Sequence, residues 1–139
     1  MRLPAMPHPH LVVLRSAVTV VLSCLIGQAG WAAAFLGGET QYVRHHQVGA
    51  WVTLAAAVLS AVVYLLLRRT GGPVNTTLAV LLAAAVAAQF ALGESDQRAL
   101  HIFVGVLVVM LATALTSWTY RHQMPVPTPG AEAVPGVRT

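Results

Sequence analysis

Four stretches of this chain are almost continuously apolar, and short polar links rich in glycine, arginine and acidic residues separate them. A helix needs about 20 apolar residues to cross a bilayer, and each stretch is long enough. The pattern predicts spans over about 11–36, 44–67, 75–93 and 97–120. Gly37 and Gly38 end the first, as glycine beyond a helix terminus commonly does. Arg68, Arg69 and the Thr70-Gly71-Gly72-Pro73 turn close the second, leaving room only for a tight hairpin. Asn75, Thr76 or Thr77 is positioned to cap the third span, and Ser95 or Asp96 the fourth. The first apolar run far exceeds the roughly 7–15 residues of a signal-peptide core, so it reads as a retained helix.

The flanks differ in kind. Residues 1–10 hold three prolines with His8 and His10, and read as a flexible arm. Residues 122–139 read as a disordered tail: from Met124 onward they carry four prolines and two glycines and no apolar period. The expected fold is therefore all-α, a four-helix membrane bundle over residues 11–121 made of two hairpins.

Composition agrees. The chain is 57% hydrophobic with eight basic and four acidic side chains in 139 residues, whereas soluble domains carry roughly a quarter charged residues. Every basic residue is arginine. Arg2, Arg15, Arg68, Arg69, Arg121 and Arg138 fall on one side of the predicted bundle, and Arg44 and Arg98 on the other. By the positive-inside rule both termini face the cytoplasm, in a multi-pass protein of a bacterial cytoplasmic membrane. The net charge of +4 then reports orientation, and no nucleic-acid surface is expected. A single cysteine, Cys24, excludes an intrachain disulfide.

Slid along itself without a gap, the sequence places Phe35-Leu-Gly-Gly38-Glu39-Thr40 over Phe90-Ala-Leu-Gly93-Glu94-Ser95, and His46 over His101. Such self-similarity is the mark of repeated units. In both copies an apolar helix ends in Gly-Glu and a histidine opens the next helix at the same membrane depth. A histidine in a span is a functional hypothesis by default. If the second and fourth helices are diagonal in the bundle, an imidazole–iron–imidazole sandwich fits between them, since bundle cores commonly house such cofactors and histidine is a usual axial ligand.

Steps of three and four from His46 reach Gly49, Thr53, Ala57 and Ser60; from His101 they reach Gly105, Val108, Ala112 and Thr116. Small residues there leave room for a flat macrocycle, or simply let membrane helices pack closely. Arg44 and Arg98, near the histidines at the water edge, suit haem propionates or act as interface anchors. Gln28 and Gln89 lie inside spans, where an unpaired amide is costly, and bond either a cofactor edge or a neighbouring helix. His45 competes with His46 as ligand, since His45 and Gly49 share a His-x-x-x-Gly spacing with His101 and Gly105. No acid lies within a span, and no Glu-x-x-His pair offers a di-metal site.

The segments Arg44-His45-His46 followed by small residues, Ala88-Gln89-Phe90-Ala-Leu-Gly93, and Ala99-Leu100-His101 running into Gly105 resemble one four-helix half of the heme A synthase family over roughly residues 20–120. Small uncharacterised four-helix membrane families share the two-histidine pattern. The resemblance implies His101 as one axial ligand and His46, or His45, as the other. That family's first half carries an acid three residues before its histidine, where this chain has Val43 or Tyr42, and it commonly carries an outer cysteine pair that is missing here. The resemblance thus implies a haem-binding fold more than the synthase reaction.

The expected function is a b-type haem protein serving electron transfer or haem handling, with a membrane redox partner or respiratory complex and a possible homodimer. The alternative is a cofactor-free structural subunit or assembly factor of a larger membrane complex.

Overall fold

The computed structural model describes residues 8–123; the arm before His8 and the tail from Met124 lie outside the described residues. Four helices follow in order: α1 (Pro9–Leu36), α2 (Tyr42–Leu66), α3 (Arg68–Gly93) and α4 (Arg98–Arg121). At about 1.5 Å per residue each exceeds the roughly 30 Å hydrocarbon core of a bilayer. All four are long and apolar enough to cross a membrane.

The helices form an antiparallel ring in which each packs on its sequence neighbours and α1 closes on α4. Across the diagonals the bundle is unequal. α1 and α3 approach, whereas no Cα of α2 comes within 8 Å of a Cα of α4 among the described residues. Space therefore opens along the α2–α4 diagonal, the one that separates the two histidines.

The interior is built from Leu14, Val18, Val21, Tyr64, Leu82, Ala112 and Leu115, together with the polar side chains of Thr53, Ser60, Asn75 and Thr119. Large apolar residues such as Trp51, Leu59, Leu66, Phe103 and Met110 face outward. Exposed bulk around a small, partly polar interior is what lipid as solvent selects, since lipid tails already solvate Leu and Phe and small residues allow close backbone approach.

The end holding the N-terminus of α1 is cross-linked by hydrogen bonds. Tyr64 Oη lies 2.7 Å from Thr119 Oγ1 and 3.3 Å from the Leu14 carbonyl, and Thr119 Oγ1 donates to Asn75 Oδ1 at 3.3 Å. This joins all four helices. On the outside of the same end, Arg15 donates to the Tyr120 carbonyl at 3.2 Å and its guanidinium lies over the Tyr120 ring, while Thr19 Oγ1 sits 3.1 Å from Tyr120 Oη. These contacts hold α1 and α4 together here.

The α2–α3 turn is tighter than a loop. α3 starts at Arg68, one helical turn leads to Gly72 at φ 77°, ψ 165°, and Pro73 restarts the helix. That backbone conformation is open essentially only to glycine, and Pro at the first position of a helix sacrifices no hydrogen bond. The expected caps act differently: Asn75 Nδ2 donates to the Gly71 carbonyl and Thr76 Oγ1 to the Gly72 carbonyl, 2.8 and 2.9 Å away. They satisfy carbonyls before the kink instead of amides after it. At α4, Ser95 Oγ does accept the Gln97 amide, at 3.4 Å.

Candidate functional site

α2 and α4 run in the same direction and open at the same end of the bundle, so His46 and His101 share a level. Both rings are half-buried, with centroids 6.3 Å apart and planes at 89°. Each imidazole is fixed by the preceding helix. His46 Nδ1 is 3.2 Å from the Gln28 carbonyl, and His101 Nδ1 is 3.1 Å from the Gln89 carbonyl. A carbonyl only accepts, so in both rings Nδ1 carries the hydrogen and Nε2 is left with its lone pair. Phe35 packs edge-on to His46 with centroids 5.4 Å apart. Gly93 makes room for the other ring: a Cβ there would stand 3.1 Å from His101 Cε1.

Both rings line a cavity of about 520 Å³ in the same half of the bundle. Its wall on α1 is Ala29, Ala32, Ala33 and Leu36; on α4 it is Ile102, Gly105, Val106 and Met110. These α1 positions recur every three or four residues and so form one helix face. With Ile102, Val106 and Met110 exposed, the cavity opens between α1 and α4, at the end opposite the Arg15–Tyr120 contacts. Across the bundle, Trp51 and Phe90 meet at 4.5 Å between centroids and bridge α2 to α3.

The two glutamines serve the site in two ways. Their main-chain carbonyls orient the histidines. Their side chains also line the cavity, where Gln28 Nε2 and Gln89 Oε1 are buried without a hydrogen-bond partner. Gln89 Nε2 donates to the His101 carbonyl at 2.8 Å and lies 3.4 Å from His101 Nε2. Gly49 and Gly105 accommodate these amides: a Cβ at Gly49 would strike Gln28 Nε2 and the Trp31 ring, and one at Gly105 would sit 3.0 Å from Gln89 Nε2. Each hairpin thus presents a histidine, a glutamine and a glycine in the same relation. The spacing differs, however: Gln28 precedes His46 by 18 residues and Gln89 precedes His101 by 12. A gapless slide of the sequence cannot superpose both.

The remaining expected site residues are not brought together. His45 is exposed, with Nδ1 3.2 Å from the Gln41 carbonyl and its ring against Tyr42 and Trp31. It lines, with Arg44, a second cavity of about 590 Å³ between α1 and α2. Arg98 is exposed, one turn outside Ile102 on α4. The small-residue stripe below the histidines is mostly filled. Ala57, Ser60, Val108 and Ala112 are buried in the bundle core, while Thr53, Gly105 and Val108 reach the cavity. Thr53 and Thr116 return their hydroxyls to the carbonyls of Gly49 and Ala112.

The α1 wall was missed by reasoning from the sequence, although Ala29, Ala32, Ala33 and Leu36 carry a helical-face spacing that marks it. The Tyr64–Thr119–Asn75 network left no such signal, because its members come from three helices. Among the described residues no group of three or more His, Cys, Asp or Glu side chains is placed to hold a metal ion. What the site offers is two imidazoles, two free amide atoms and an apolar hollow beside them. No protein-family model, curated protein or solved structure matches this chain.

Proposed function

We propose that this is a multi-pass membrane protein that binds a b-type haem, with His46 and His101 as the two axial ligands. The observation that carries the reading is the pair of rings 6.3 Å apart, each with Nδ1 on a main-chain carbonyl. Two metal–imidazole bonds of about 2 Å plus the half-width of each ring sum to roughly 6 Å. Metal-binding histidines characteristically give their other nitrogen to a carbonyl or carboxylate, which fixes tautomer and ring orientation. Two imidazoles alone leave a bare ion under-ligated, whereas a macrocycle brings the four further nitrogens itself.

The hollow supports the same group. Its volume lies within the roughly 300–1,000 Å³ of small-molecule and cofactor sites, and its wall is mainly apolar with a few placed polar atoms. A haem supplies one-electron chemistry. With both axial positions filled by this chain's histidines no position on the iron stays open, so electron transfer or haem handling fits better than catalysis at the metal. A membrane redox partner or respiratory complex, and a homodimer, belong to this proposal. So does the resemblance to a half-size heme A synthase, which extends to the haem site and not to the synthase reaction. Of the two arginines, Arg98 is the one on the cavity's rim and suits a propionate; Arg44 faces elsewhere. The arginine asymmetry supports an extracytoplasmic site with both termini in the cytoplasm.

A cofactor-free structural subunit or assembly factor is the second reading. In its favour, the same Nδ1 bonds already tie α2 to α1 and α4 to α3, so the histidines have structural work without a metal. The absorption spectrum of the purified protein separates the two. A Soret band with split reduced peaks, abolished by His101→Ala, is expected. A colourless protein from haem-replete cells overturns the haem reading.

A further inference from the structure

The second cavity lies outside that site and has a different chemistry. It is a groove between α1 and α2, with Arg44 and His45 at its end and Trp31, Val52, Cys24 and Ser23 along its length. Arg44 is exposed and makes no ion pair with any described residue, and the His45 ring is held beside Trp31 at 6.2 Å between centroids. The groove exists because Gly49 carries no side chain: the Trp31 ring folds down into the space a Cβ there would need.

We infer that this groove is a binding site for an anionic phospholipid, whose phosphate pairs with Arg44 and His45 and whose acyl chain lies along Trp31 and Val52. Charge and length both choose the occupant. An unpaired guanidinium with an imidazole beside it matches a phosphate held in two-pronged fashion. From Arg44 down α2 to Val52 is about 12 Å at 1.5 Å per residue, close to one leaflet of a hydrocarbon core roughly 30 Å thick. The polar end therefore stands at the level of the headgroups and the far end, at Cys24 and Ser23, near mid-bilayer. A soluble phosphate has no use for the apolar length, and an uncharged apolar ligand has none for Arg44. The inference shares with the haem reading only the membrane placement.

Trp31 reports on the groove directly. In the full-length chain with Trp51→Phe and Trp118→Phe, its emission is read in vesicles of zwitterionic phospholipid containing a minor fraction of a chain-brominated phospholipid, either anionic or zwitterionic. Each signal is taken relative to the same vesicle with unbrominated lipid, so any quenching by haem cancels. Selective occupancy gives several-fold stronger quenching by the anionic brominated lipid, and Arg44→Gln removes the difference while the absorption spectrum of the same sample is unchanged. Equal quenching by both lipids overturns the inference, as does an Arg44→Gln protein that keeps the preference. A chain that fails to float with the vesicles overturns it together with the membrane reading, whereas a colourless chain that keeps the preference overturns only the haem.

Discussion

The imidazoles of His46 and His101 stand perpendicular to one another, 6.3 Å apart between centroids, on two helices whose backbones do not touch. Side chains alone span that diagonal. Their neighbour His45 points away from it, although one peptide bond separates it from His46.

That difference makes the first expectation sharp. His46→Ala and His101→Ala each abolish the bis-imidazole absorption spectrum, while His45→Ala retains it. Spectra of the three purified variants check this, and loss of colour in His45→Ala alone would reverse the ligand assignment.

The carbonyls that orient both rings are main-chain atoms, so the amide side chains beside them are replaceable. Gln28→Leu removes a buried nitrogen that has no partner and is expected to keep the haem spectrum, with stability changed by about 1 kcal/mol or less. Haem retention on gel filtration and the denaturant midpoint measure both parts.

Gly49 is the least tolerant position near the site. Gly49→Leu forces Gln28 and the Trp31 ring to move, and overpacking of this kind costs about 1–3 kcal/mol. Because Gln28 carries the carbonyl that holds His46, haem affinity should fall with stability. Gly30→Ala is the control: nothing lies within 4 Å of a Cβ there, and a helical glycine gains about 1 kcal/mol on replacement by alanine. Unfolding in detergent ranks the two.

At the other end, Tyr64→Phe removes the hydroxyl between Thr119 and Leu14. Thr119 keeps its bond to Asn75, so the loss is one hydrogen bond, about 0.6 kcal/mol on average in membrane bundles and up to about 1.7. The haem spectrum should not change, since this network lies at the opposite end from the histidines.

Gly72→Ala tests the kink. A φ of 77° with ψ 165° is strained for any residue with a Cβ, by about 1–3 kcal/mol. A lowered melting temperature with intact helicity by circular dichroism is the expected result. An unchanged melting temperature would mean that the turn re-forms without its left-handed residue.

The apolar runs by themselves determined four helices of membrane-crossing length, because a lipid-facing helix must be apolar nearly all round and such runs are unmistakable. The glycine-rich links fixed where the chain turns, and the single histidine opening α4 stood out against an apolar background. His45 against His46 was undecidable from order alone, since adjacent positions on a helix differ by about 100° in direction and either has a glycine within a turn. Only packing resolved it: α1 lies against α2 on the side where Gln28 meets His46, and that leaves His45 in the outer groove. The same holds for the caps expected at Asn75 and Thr76, where the kink at Gly72 freed carbonyls that their side chains then satisfied. Which diagonal of the bundle stays open was likewise invisible, because periodicity records how each helix is solvated but not how far apart two helices settle. That distance comes from the side chains meeting between α1 and α3, and it is what leaves a hollow beside the histidines.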